Sequence, residues 1–431
     1  MQVCVQGLWH LGSVTAGCLA SVGHAVVGID FDEEVIRGLR GGSPPIFEPG
    51  LTELIQAGLS SGRLRFATDP KELLSEIEIL WVTYDTPVNE DDEADIDFVV
   101  AQVQMALPFL ATDTTVLVSS QMPVGSIRRL EAIAGKLGRE KELSFAYFPE
   151  NLRLGKALEV FLKPDRVVVG VRSEQDKERI RRLLQPITDR IEWMSVESAE
   201  MTKHAINAFL ATSVVFANEI AVICEMVGAD AKEVERGLKS EQRIGPKAYL
   251  SPGSAFAGGT LARDVEFLKA LSRGHHISIP LLESVKRSND LHKSWVRRKL
   301  KELLPSLEGA VVAVWGLTYK PGTDTLRRSL AVELCNWLIV QGARVKVHDP
   351  AVKELPPEWN GVVERVNDAL ATLEGAQVLL LGTEWAEYKK ISIDRVADSN
   401  PGLVVLDPNR FLTSWGATTQ LRYIAVGTPS R

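Results

Sequence analysis

Cysteine is scarce in this sequence, with four cysteines among 431 residues and no two of them in a Cys-x-x-Cys pair. Zinc sites and many redox sites use such pairs, whereas isolated cysteines in apolar segments behave as small buried apolar residues. We therefore expect buried thiols, with no disulfide, no zinc site and no other metal site. The four residues are Cys4, Cys18, Cys224 and Cys335.

The sequence also has no excess of positive charge, since its formal net charge is −7 at pH 7. The basic run "RRKLKE" follows a helical pattern with acidic residues nearby, which is typical of a solvated helix face. No charged leader precedes the first apolar segment, and no stretch approaches the ~18 apolar residues that span a bilayer. We expect a cytoplasmic protein that binds neither nucleic acid nor membrane.

Two parts of the chain alternate short apolar runs with amphipathic helical stretches. The N-terminal part has runs such as "QVCVQG" and "RVVVGV", and the C-terminal part has runs such as "GAVVAVWGL" and "QVLLLGT". Such alternation indicates parallel sheets covered by helices on both faces. We expect an α/β protein with two Rossmann-like doubly wound domains, residues 1–197 and 305–431, joined through a central helical region, residues 198–304.

The central region begins with a long predicted helix over residues 198–227. Ser198 is a candidate N-cap and Gly228 a candidate C′ residue, which gives ~30 residues, long for a globular protein. An apolar stripe of this length is typical of a subunit interface, and burial within one chain is the alternative. We expect a homodimer formed through this helix. The stripe consists of Met201, Ala205, Phe209, Thr212, Phe216, Ile220, Ile223 and Val227.

A candidate dinucleotide site lies at the N-terminus, where "VCVQGLWHLG" runs from a strand into a turn. Gly7 and Gly12 match two of the three glycines of the fingerprint, and Asp30 matches the acid that binds ribose hydroxyls. Trp9 occupies the middle position, where a large side chain must point away or change how the diphosphate docks. Because Asp30 repels a 2′-phosphate, the pattern favours NAD over NADP. The alternative is a Rossmann-like turn that binds no cofactor.

Four further stretches carry polar residues that local structure does not require. Each has a simpler interpretation by itself: a carboxylate at a strand end, a solvated helix pair, a flexible loop and a surface turn. The residues are Glu150 in "FPENLRLG", Lys203 and Asn207 four apart on the long helix, Asp264 after the loop of residues 243–264, and Lys320 and Arg327 in "WGLTYKPGTDTLRRS".

The order and spacing of these stretches resemble the UDP-glucose/GDP-mannose dehydrogenase family over nearly the whole chain. The segments that carry the resemblance include "GLWHLGSVTAGCLASVGHAVVGIDFDEE", "PIFEPGL", "PENLRLGKALEVFLKPDRVVVG", "SAEMTKHAINAFLATSVVFANEIA", "GLTYKPGTDTLRRS" and "GTEWAEY". The resemblance implies an NAD-dependent enzyme that oxidises the C6 hydroxymethyl group of a nucleotide-linked sugar. It also implies that the N-terminal domain holds NAD, the C-terminal domain holds the nucleotide, and the long helix forms the dimer.

The resemblance assigns a role to each residue that matches a family motif. Glu150 would be the base toward water, Lys203 and Asn207 would stabilise developing oxyanion charge, and Asp264 would orient the water and the lysine. The residues implied to line the cofactor, besides the glycine turn, are Thr86, Gln121 and Glu150. Those implied to contact the nucleotide sugar are Gly253, Lys320, Arg327 and Arg243, the last reaching a neighbouring subunit.

The sequence departs from the family pattern at the reactive position of the loop "GSAFAGGTLARD", where Thr260 stands for the cysteine that captures the C6 aldehyde. An alcohol is a far weaker acid than a thiol and needs an adjacent strong base. The other departures are Trp9, Gln121, Asn151, Ala255, Ala257 and Arg263.

These departures leave three functions open. In the function that we favour, the enzyme removes one hydride and its product is an aldehyde or ketone, released, passed on or reduced again. In the second, the aldehyde hydrate is oxidised directly to a uronic acid, as by a UDP-glucose 6-dehydrogenase, with Thr260 only shaping the pocket. In the third, the protein binds nucleotide sugar or NAD without catalysis, although the retained cluster of polar residues opposes this alternative.

Overall fold

The computed structural model describes residues 1–69, 73–87, 94–150, 152–257, 259–417 and 421–429, so Asn151 lies outside the described residues. The chain divides into two compact units. The first unit consists of Met1–Ile206 with Arg273–His275, and the second of Asn207–Ser272 with His276–Arg431. Each unit contains one sheet, and the expected α/β architecture of two Rossmann-like domains is confirmed. The boundaries at residues 197 and 304 stay predictions.

The first unit is built on an eight-stranded sheet in the order β3-β2-β1-β4-β5-β6-β7-β8, parallel except between β6 and β7. Gln6 pairs with Ile29 on one side and Val82 on the other, so the residues that follow these three strands emerge together at one edge. The strands are β1 Gln2–Gln6, β2 Ala25–Ile29, β3 Leu64–Ala67, β4 Ile79–Val82, β5 Thr114–Val118, β6 Leu143–Tyr147, β7 Val167–Gly170 and β8 Ile191–Met194.

Helices cover both faces of this sheet because alternate strand residues point to opposite sides and both sides are apolar. Val3 and Val5 pack into one core with residues of the first helix, whereas Cys4 packs into a second core on the other face. The helices are α1 His10–Ser21, α2 Glu33–Arg40, α3 Leu51–Ser60, α4 Ile96–Ala106, α5 Ser126–Lys136, α6 Ala157–Leu162 and α7 Glu174–Leu184, with 3-10 turns at Leu74–Glu76 and Leu107–Phe109.

The long helix, α8, spans Val196–Val227 and has 32 residues, close to the predicted length. It begins before Ser198, and the Ser195 hydroxyl accepts a hydrogen bond from the Ser198 backbone N–H at 3.3 Å. Ser195 therefore lies at the N-terminus where Ser198 was expected. Gly228 follows the helix with φ of +79°, as expected of a C′ residue.

By length and composition α8 could cross a membrane, since an 18-residue window within it has a mean hydropathy of 1.7, with 44% of the window buried. The expectation that no stretch approaches a membrane-spanning length was therefore wrong. The reason is that no Asp, Glu, Lys or Arg lies between Lys203 and Glu219, which leaves a long, mostly apolar stretch in the middle of the helix. The core helix of a soluble protein passes the same test.

The second unit combines helices with a six-stranded parallel sheet in the order β11-β10-β9-β12-β13-β14. Its helices are α9 Ala231–Ser240, α10 Thr260–Gly274, α11 Pro280–Lys293, α12 Trp295–Leu303, α13 Leu330–Val340 and α14 Ile393–Ser399. Its strands are β9 Val311–Trp315, β10 Arg344–His348, β11 Val363–Arg365, β12 Val378–Leu381, β13 Val404–Leu406 and β14 Arg422–Ile424. The 3-10 turns are Pro357–Trp359, Leu370–Leu373, Ala386–Lys390 and Thr413–Ala417.

Candidate active site

The glycine turn after β1 has the geometry of a dinucleotide cradle. Gly7 has φ of +94°, and a Cβ there would lie 2.7 Å from the Tyr84 ring. A Cβ on Gly12 would lie 1.8 Å from the Gly7 carbonyl oxygen, so both positions require glycine. Trp9 lies between them at the start of α1 with φ of −71° and is 47% exposed. Its φ is negative, its ψ of −145° lies outside the usual helix and strand regions, and the residue is partly open to solvent.

Asp30 and Thr86 lie beside this turn at the same sheet edge. Asp30 Oδ2 accepts a hydrogen bond from the Leu8 N–H at 2.7 Å, and Oδ1 accepts from the Asp32 N–H at 3.0 Å. Each oxygen keeps a further lone pair for a ribose hydroxyl. Thr86 is buried and donates to the Gln121 carbonyl oxygen at 2.7 Å, which ties the loop after β4 to the loop after β5.

These residues fit NAD. Gly7 makes the tight turn and Gly12 lets α1 start in close contact with that turn, and the N-terminus of α1 has no side-chain cap on its N–H groups. A helix N-terminus open in this way attracts a diphosphate, and Asp30 suits a ribose without a 2′-phosphate.

Glu150 and Lys203 come together within the first unit. The Lys203 ammonium donates to the Glu150 carbonyl oxygen, and its Nζ lies 4.0 Å from Glu150 Oε2. The Glu150 carboxylate also accepts from the Leu152 N–H. Lys203 is almost wholly buried, whereas the Glu150 side chain is 27% exposed. The lysine therefore fixes the start of the loop that carries the carboxylate, and the carboxylate keeps access to solvent.

Glu48, in the "PIFEPGL" segment, is a functional candidate that sequence reasoning left without a role. Its carboxylate is buried and accepts from the Gly155 and Ala157 N–H groups at 2.9 and 2.8 Å. It also bonds His10 Nε2 at 3.0 Å. Burial raises the pKa of Glu48, but the backbone donors and His10 outweigh burial and lower the pKa overall. Glu48 therefore links the glycine turn to the end of the loop that begins at Glu150.

Glu200 and His204 flank Lys203 on α8 and were also missed. The Glu200 carboxylate accepts from the Gly125 and Ile127 N–H groups at 2.8 and 3.0 Å, and His204 Nε2 donates to the Met122 carbonyl oxygen at 2.9 Å. Burial raises the pKa of Glu200. Both side chains hold the loop that contains Gln121. Polar side chains next to Lys203 in an apolar helix were the available signal.

Asn207 and Asp264 come together within the second unit. The Asn207 amide donates to the Asp264 carboxylate, and both side chains are buried. Asp264 lies one turn inside α10, whose first residue is Thr260. Thr260 is exposed. Lys203 and Asn207 lie four residues apart on α8, which puts their side chains on one face of that helix.

The residues expected to contact the substrate differ in their exposure and in their contacts within the protein. Arg243 pairs with Glu241 at 2.9 Å and its side chain is 88% exposed, Arg327 is exposed, and Lys320 is partly buried. Arg328, next to Arg327, has φ of +62°, and its Nη1 would lie 3.1 Å from a Cβ on Gly259. The arginine that lies against the loop before Thr260 is therefore Arg328, a residue that sequence reasoning did not name.

Gly253 contributes its backbone to contacts inside the second unit. Its N–H donates to Asn218 Oδ1 at 2.9 Å and its carbonyl oxygen accepts from His292 Nε2 at 2.8 Å. A Cβ at this position would lie 2.4 Å from Asn409 Oδ1, so a side chain here would displace the Asn409 amide. Among the residues that the structure describes, no group of three or more His, Cys, Asp or Glu side chains could hold a metal ion.

Three sequence profiles of one family match the chain in order. They are the NAD binding domain over residues 1–188, the central domain over 197–291 and the UDP binding domain over 313–414. The chain belongs to the UDP-glucose/GDP-mannose dehydrogenase family.

Individual members of the UDP-glucose/GDP-mannose dehydrogenase family match over almost their full lengths. A UDP-glucose 6-dehydrogenase of Pseudomonas aeruginosa is 33% identical over 450 residues, covering 100% of this chain and 98% of the relative. One of Rhizobium meliloti is 32% identical and covers 100% of both chains. The solved structure of a UDP-glucose dehydrogenase from the archaeon Pyrobaculum islandicum has a TM-score of 0.86 and 30% identity, covering 100% of this chain and 98% of that one.

Membership of the UDP-glucose/GDP-mannose dehydrogenase family confirms the resemblance and the expectation of an NAD-dependent oxidoreductase that acts on nucleotide sugars. A structure of a UDP-D-ManNAc dehydrogenase from Pyrococcus horikoshii, with a TM-score of 0.86 but 22% identity, supports the fold alone. The individual site residues stay predictions.

Proposed function

We propose that this protein oxidises the C6 alcohol of a UDP-sugar by one hydride transfer and releases or passes on a carbonyl product. The observation that carries the proposal is the state of its thiols. All four cysteines are buried and free, and burial raises their pKa values, those of Cys18 and Cys335 to about 12. None therefore supplies the thiolate that a covalent route to the acid needs.

The oxidation needs an acceptor for a proton and a stabiliser for the charge that develops on oxygen. NAD, when bound, accepts the hydride from the carbinol carbon. Lys203 and Asn207, one turn apart on α8, supply donors for the substrate oxygen. Glu150, partly exposed and 4.0 Å from Lys203 Nζ, accepts the hydroxyl proton. Asp264 orients the Asn207 amide through their hydrogen bond.

Thr260 gives a physical reason for stopping after one hydride. An alcohol has a much higher pKa than a thiol, and a β-branched side chain restricts the approach of a carbonyl carbon. Thr260 is exposed at the first residue of α10, so its hydroxyl is solvated. Without a covalent adduct, the second hydride transfer has to use a hydrate formed with water.

Direct oxidation of that hydrate to a uronic acid is the second candidate function. Two observations favour it: the Glu150 carboxylate has access to water, and the relatives named above are UDP-glucose 6-dehydrogenases. In this alternative Glu150 activates the water, and Thr260 only shapes the pocket.

The experiment that separates these functions counts NADH formed per sugar consumed, with UDP-sugars and GDP-mannose as substrates and the product identified by mass. We expect one NADH and a carbonyl product that hydrazine traps. Two NADH and a uronic acid contradict the proposal in favour of hydrate oxidation. Nucleotide-sugar binding without NADH, and without isotope exchange at C6, indicates a binding protein.

We also propose a homodimer through α8. The stripe expected from the sequence lies on the exposed face of this helix within one chain, with Phe209 69% exposed and Ile223 56% exposed. Phe209, Phe216 and Ile223 repeat at the seven-residue spacing of helix pairs. Analytical ultracentrifugation tests this: a dimer in the native protein and a monomer in a Phe209→Glu/Phe216→Glu variant are expected, and a native monomer overturns it.

A further inference from the structure

Four side chains of the second unit hold the backbone of residues 253–256, the stretch that leads to Thr260. We call these four the loop clamp: Asn218 on α8, Asn289 and His292 on α11, and Asn409 after β13. Asn289 Oδ1 accepts from the Phe256 N–H at 2.9 Å and its Nδ2 donates to the Phe256 carbonyl oxygen at 2.8 Å. Asn409 Oδ1 accepts from the Ser254 N–H at 2.6 Å.

The rest of the clamp acts on the same short stretch. Asn218 accepts from the Gly253 N–H and its Nδ2 lies 3.3 Å from the Ser254 carbonyl oxygen, while His292 donates to the Gly253 carbonyl oxygen. Asn218, Asn289 and His292 are all buried. A buried side-chain amide is stable only when its donors and acceptors are satisfied, so the clamp and the loop backbone specify each other's positions.

The clamped stretch is packed against the helix that carries Thr260 and Asp264. Phe256 belongs to an apolar cluster with Leu261 and Val265 of α10 and Ala211 of α8. Phe256 is also the residue that Asn289 holds by both its N–H and its carbonyl group. A displacement of the loop would therefore be transmitted through Phe256 to the first turns of α10.

We propose that Asn289 and His292 are positioning residues that fix the loop of residues 253–256 and, through Phe256, the placement of Thr260 and Asp264 for the reaction. The inference rests on the proposed function, since it takes these residues to be part of the site. The two side chains lie three residues apart on α11, so one face of that helix presents both to the loop. Neither touches the reacting atoms in this proposal.

The test compares Asn289→Ala with Asn400→Ala. Asn400 is a matched control in the same unit, because its amide donates to the Leu373 and Ala376 carbonyl oxygens at 3.1 and 2.5 Å, outside the loop. We expect Asn289→Ala to lower kcat by ~10- to 100-fold with the KM for NAD unchanged, since small misplacements of reacting groups cost this much. We expect the two variants to lower Tm by similar amounts. Asn400→Ala is expected to leave kcat unchanged.

A second pair of variants tests the His292 hydrogen bond. Gln at position 292 can place an N–H near the Gly253 carbonyl oxygen, whereas Leu cannot. We expect His292→Gln to retain most of kcat and His292→Leu to lose it. Equal activity in the two variants overturns the donor role of His292. Equal losses of kcat in Asn289→Ala and Asn400→Ala overturn the positioning role, because general destabilisation would then account for both.

Hydrogen exchange of the peptide that contains residues 250–257 gives a readout independent of turnover. We expect faster exchange in Asn289→Ala than in the native protein, and protection by added UDP-glucose in the native protein but not in the variant. Unchanged exchange overturns the inference even if activity falls. A native protein that forms no NADH contradicts the proposed function alone, since exchange and UDP-glucose protection still decide whether the clamp positions the loop.

Discussion

Gly7 follows β1 and Asp30 follows β2 in the first unit, and Gly316 follows β9 and Asp349 follows β10 in the second. The backbones correspond closely: Gly7 and Gly316 have φ of +94° and +89°. The Gly7 N–H donates to the Ile29 carbonyl oxygen at 2.9 Å, and the Gly316 N–H donates to the His348 carbonyl oxygen at 2.8 Å. The two units therefore share one strand-to-turn geometry, and their functions must differ through what surrounds the turn.

The two aspartates differ in how many donors they accept from the protein. Asp30 accepts from the Leu8 and Asp32 N–H groups. Asp349 is buried, and its oxygens accept from five donors, namely the Leu317, Thr318, Ala351 and Val352 N–H groups and Trp385 Nε1. A carboxylate has about four lone-pair sites, so Asp349 has no capacity left for ribose hydroxyls. We therefore expect the same residue type to bind ligand in one turn and to stabilise the fold in the other.

The segments after the two glycines differ as well. In the first unit α1 begins at His10, directly after the turn, and its N-terminus can attract a diphosphate. In the second unit α13 begins only at Leu330, and the intervening segment carries Lys320, Arg327 and Arg328. A dinucleotide is expected to be held by backbone and helix dipole in the first unit, and a nucleotide sugar by basic side chains in the second.

The largest effect of a single substitution is expected in the first unit, on kcat. Lys203→Ala removes the donor that we propose for the developing oxyanion, and removing one such donor costs ~10²- to 10³-fold in kcat. We expect a loss of that size with NAD affinity unchanged. Lys177→Ala is the matched control, because Lys177 also pairs with a carboxylate of the first unit, Glu174 at 3.3 Å, but on an exposed surface. A kcat equal to that of Lys177→Ala contradicts the role of Lys203.

The next largest effect tests the two aspartates with one substitution. Asp349→Asn places an amide N–H₂ among five donors. We therefore expect the free energy of unfolding, measured by chemical denaturation, to fall by about 3 kcal/mol. Asp30→Asn is expected to change stability by less than about 1 kcal/mol and to weaken NAD binding ~10-fold, measured by calorimetry. If Asp30→Asn destabilises as much as Asp349→Asn, the contrast between a ligand-binding and a structural carboxylate is wrong.

Sequence reasoning predicted the parts of this comparison that depend on local pattern. Apolar alternation located β1 and β9, and helical spacing placed Lys203 and Asn207 on one face of α8. It missed Glu48, whose partners Gly155 and Ala157 are 107 and 109 residues away, and Asn409, which is 155 residues from Ser254. Such partners are brought together by the fold, so no local periodicity or spacing reveals them.

The sequence was also silent about which side of α8 is buried. The apolar stripe through Phe209 and Phe216 was equally consistent with a core and with a subunit interface, because both require apolar residues. In the structure Ala211 and Val215 on another face pack against α10 and α11, which leaves Phe209 and Phe216 exposed within the chain. Small residues let neighbouring helices pack closely. The size of the side chains on each face of α8 therefore indicated which face is buried, whereas their hydropathy did not.

A smaller effect, on the product rather than the rate, is expected at Thr260. Thr260→Cys places a thiol at the first residue of α10, where the helix N-terminus lowers its pKa. We expect NADH per UDP-sugar to rise from one toward two, with uronic acid detected by mass. Thr260→Ser, which keeps an alcohol without the β-methyl group, is expected to stay at one. Acid formed equally by the Ser and Cys variants would show that a thiol is not the missing group.

The smallest effect expected concerns acid stability and again contrasts the two units. In the second unit burial raises the pKa of Glu235, but hydrogen bonds from Lys232, Lys239 and Ser251 outweigh it and lower the pKa to about 2. In the first unit hydrogen bonds from Arg172 and Arg128 lower the pKa of Glu197 to about 2.

Both carboxylates have folded-state pKa values below the unfolded value, so each stabilises the fold above about pH 4.5 and loses that contribution as pH falls toward 2. The Glu197 side chain is 30% exposed and that of Glu235 only 10%, so solvent screens Glu197 more. We expect Glu235→Gln to lower Tm at pH 7 more than Glu197→Gln, with both differences shrinking toward pH 2. A Tm difference for Glu235→Gln that is constant from pH 7 to pH 2 would mean that the ionised carboxylate does not stabilise the second unit.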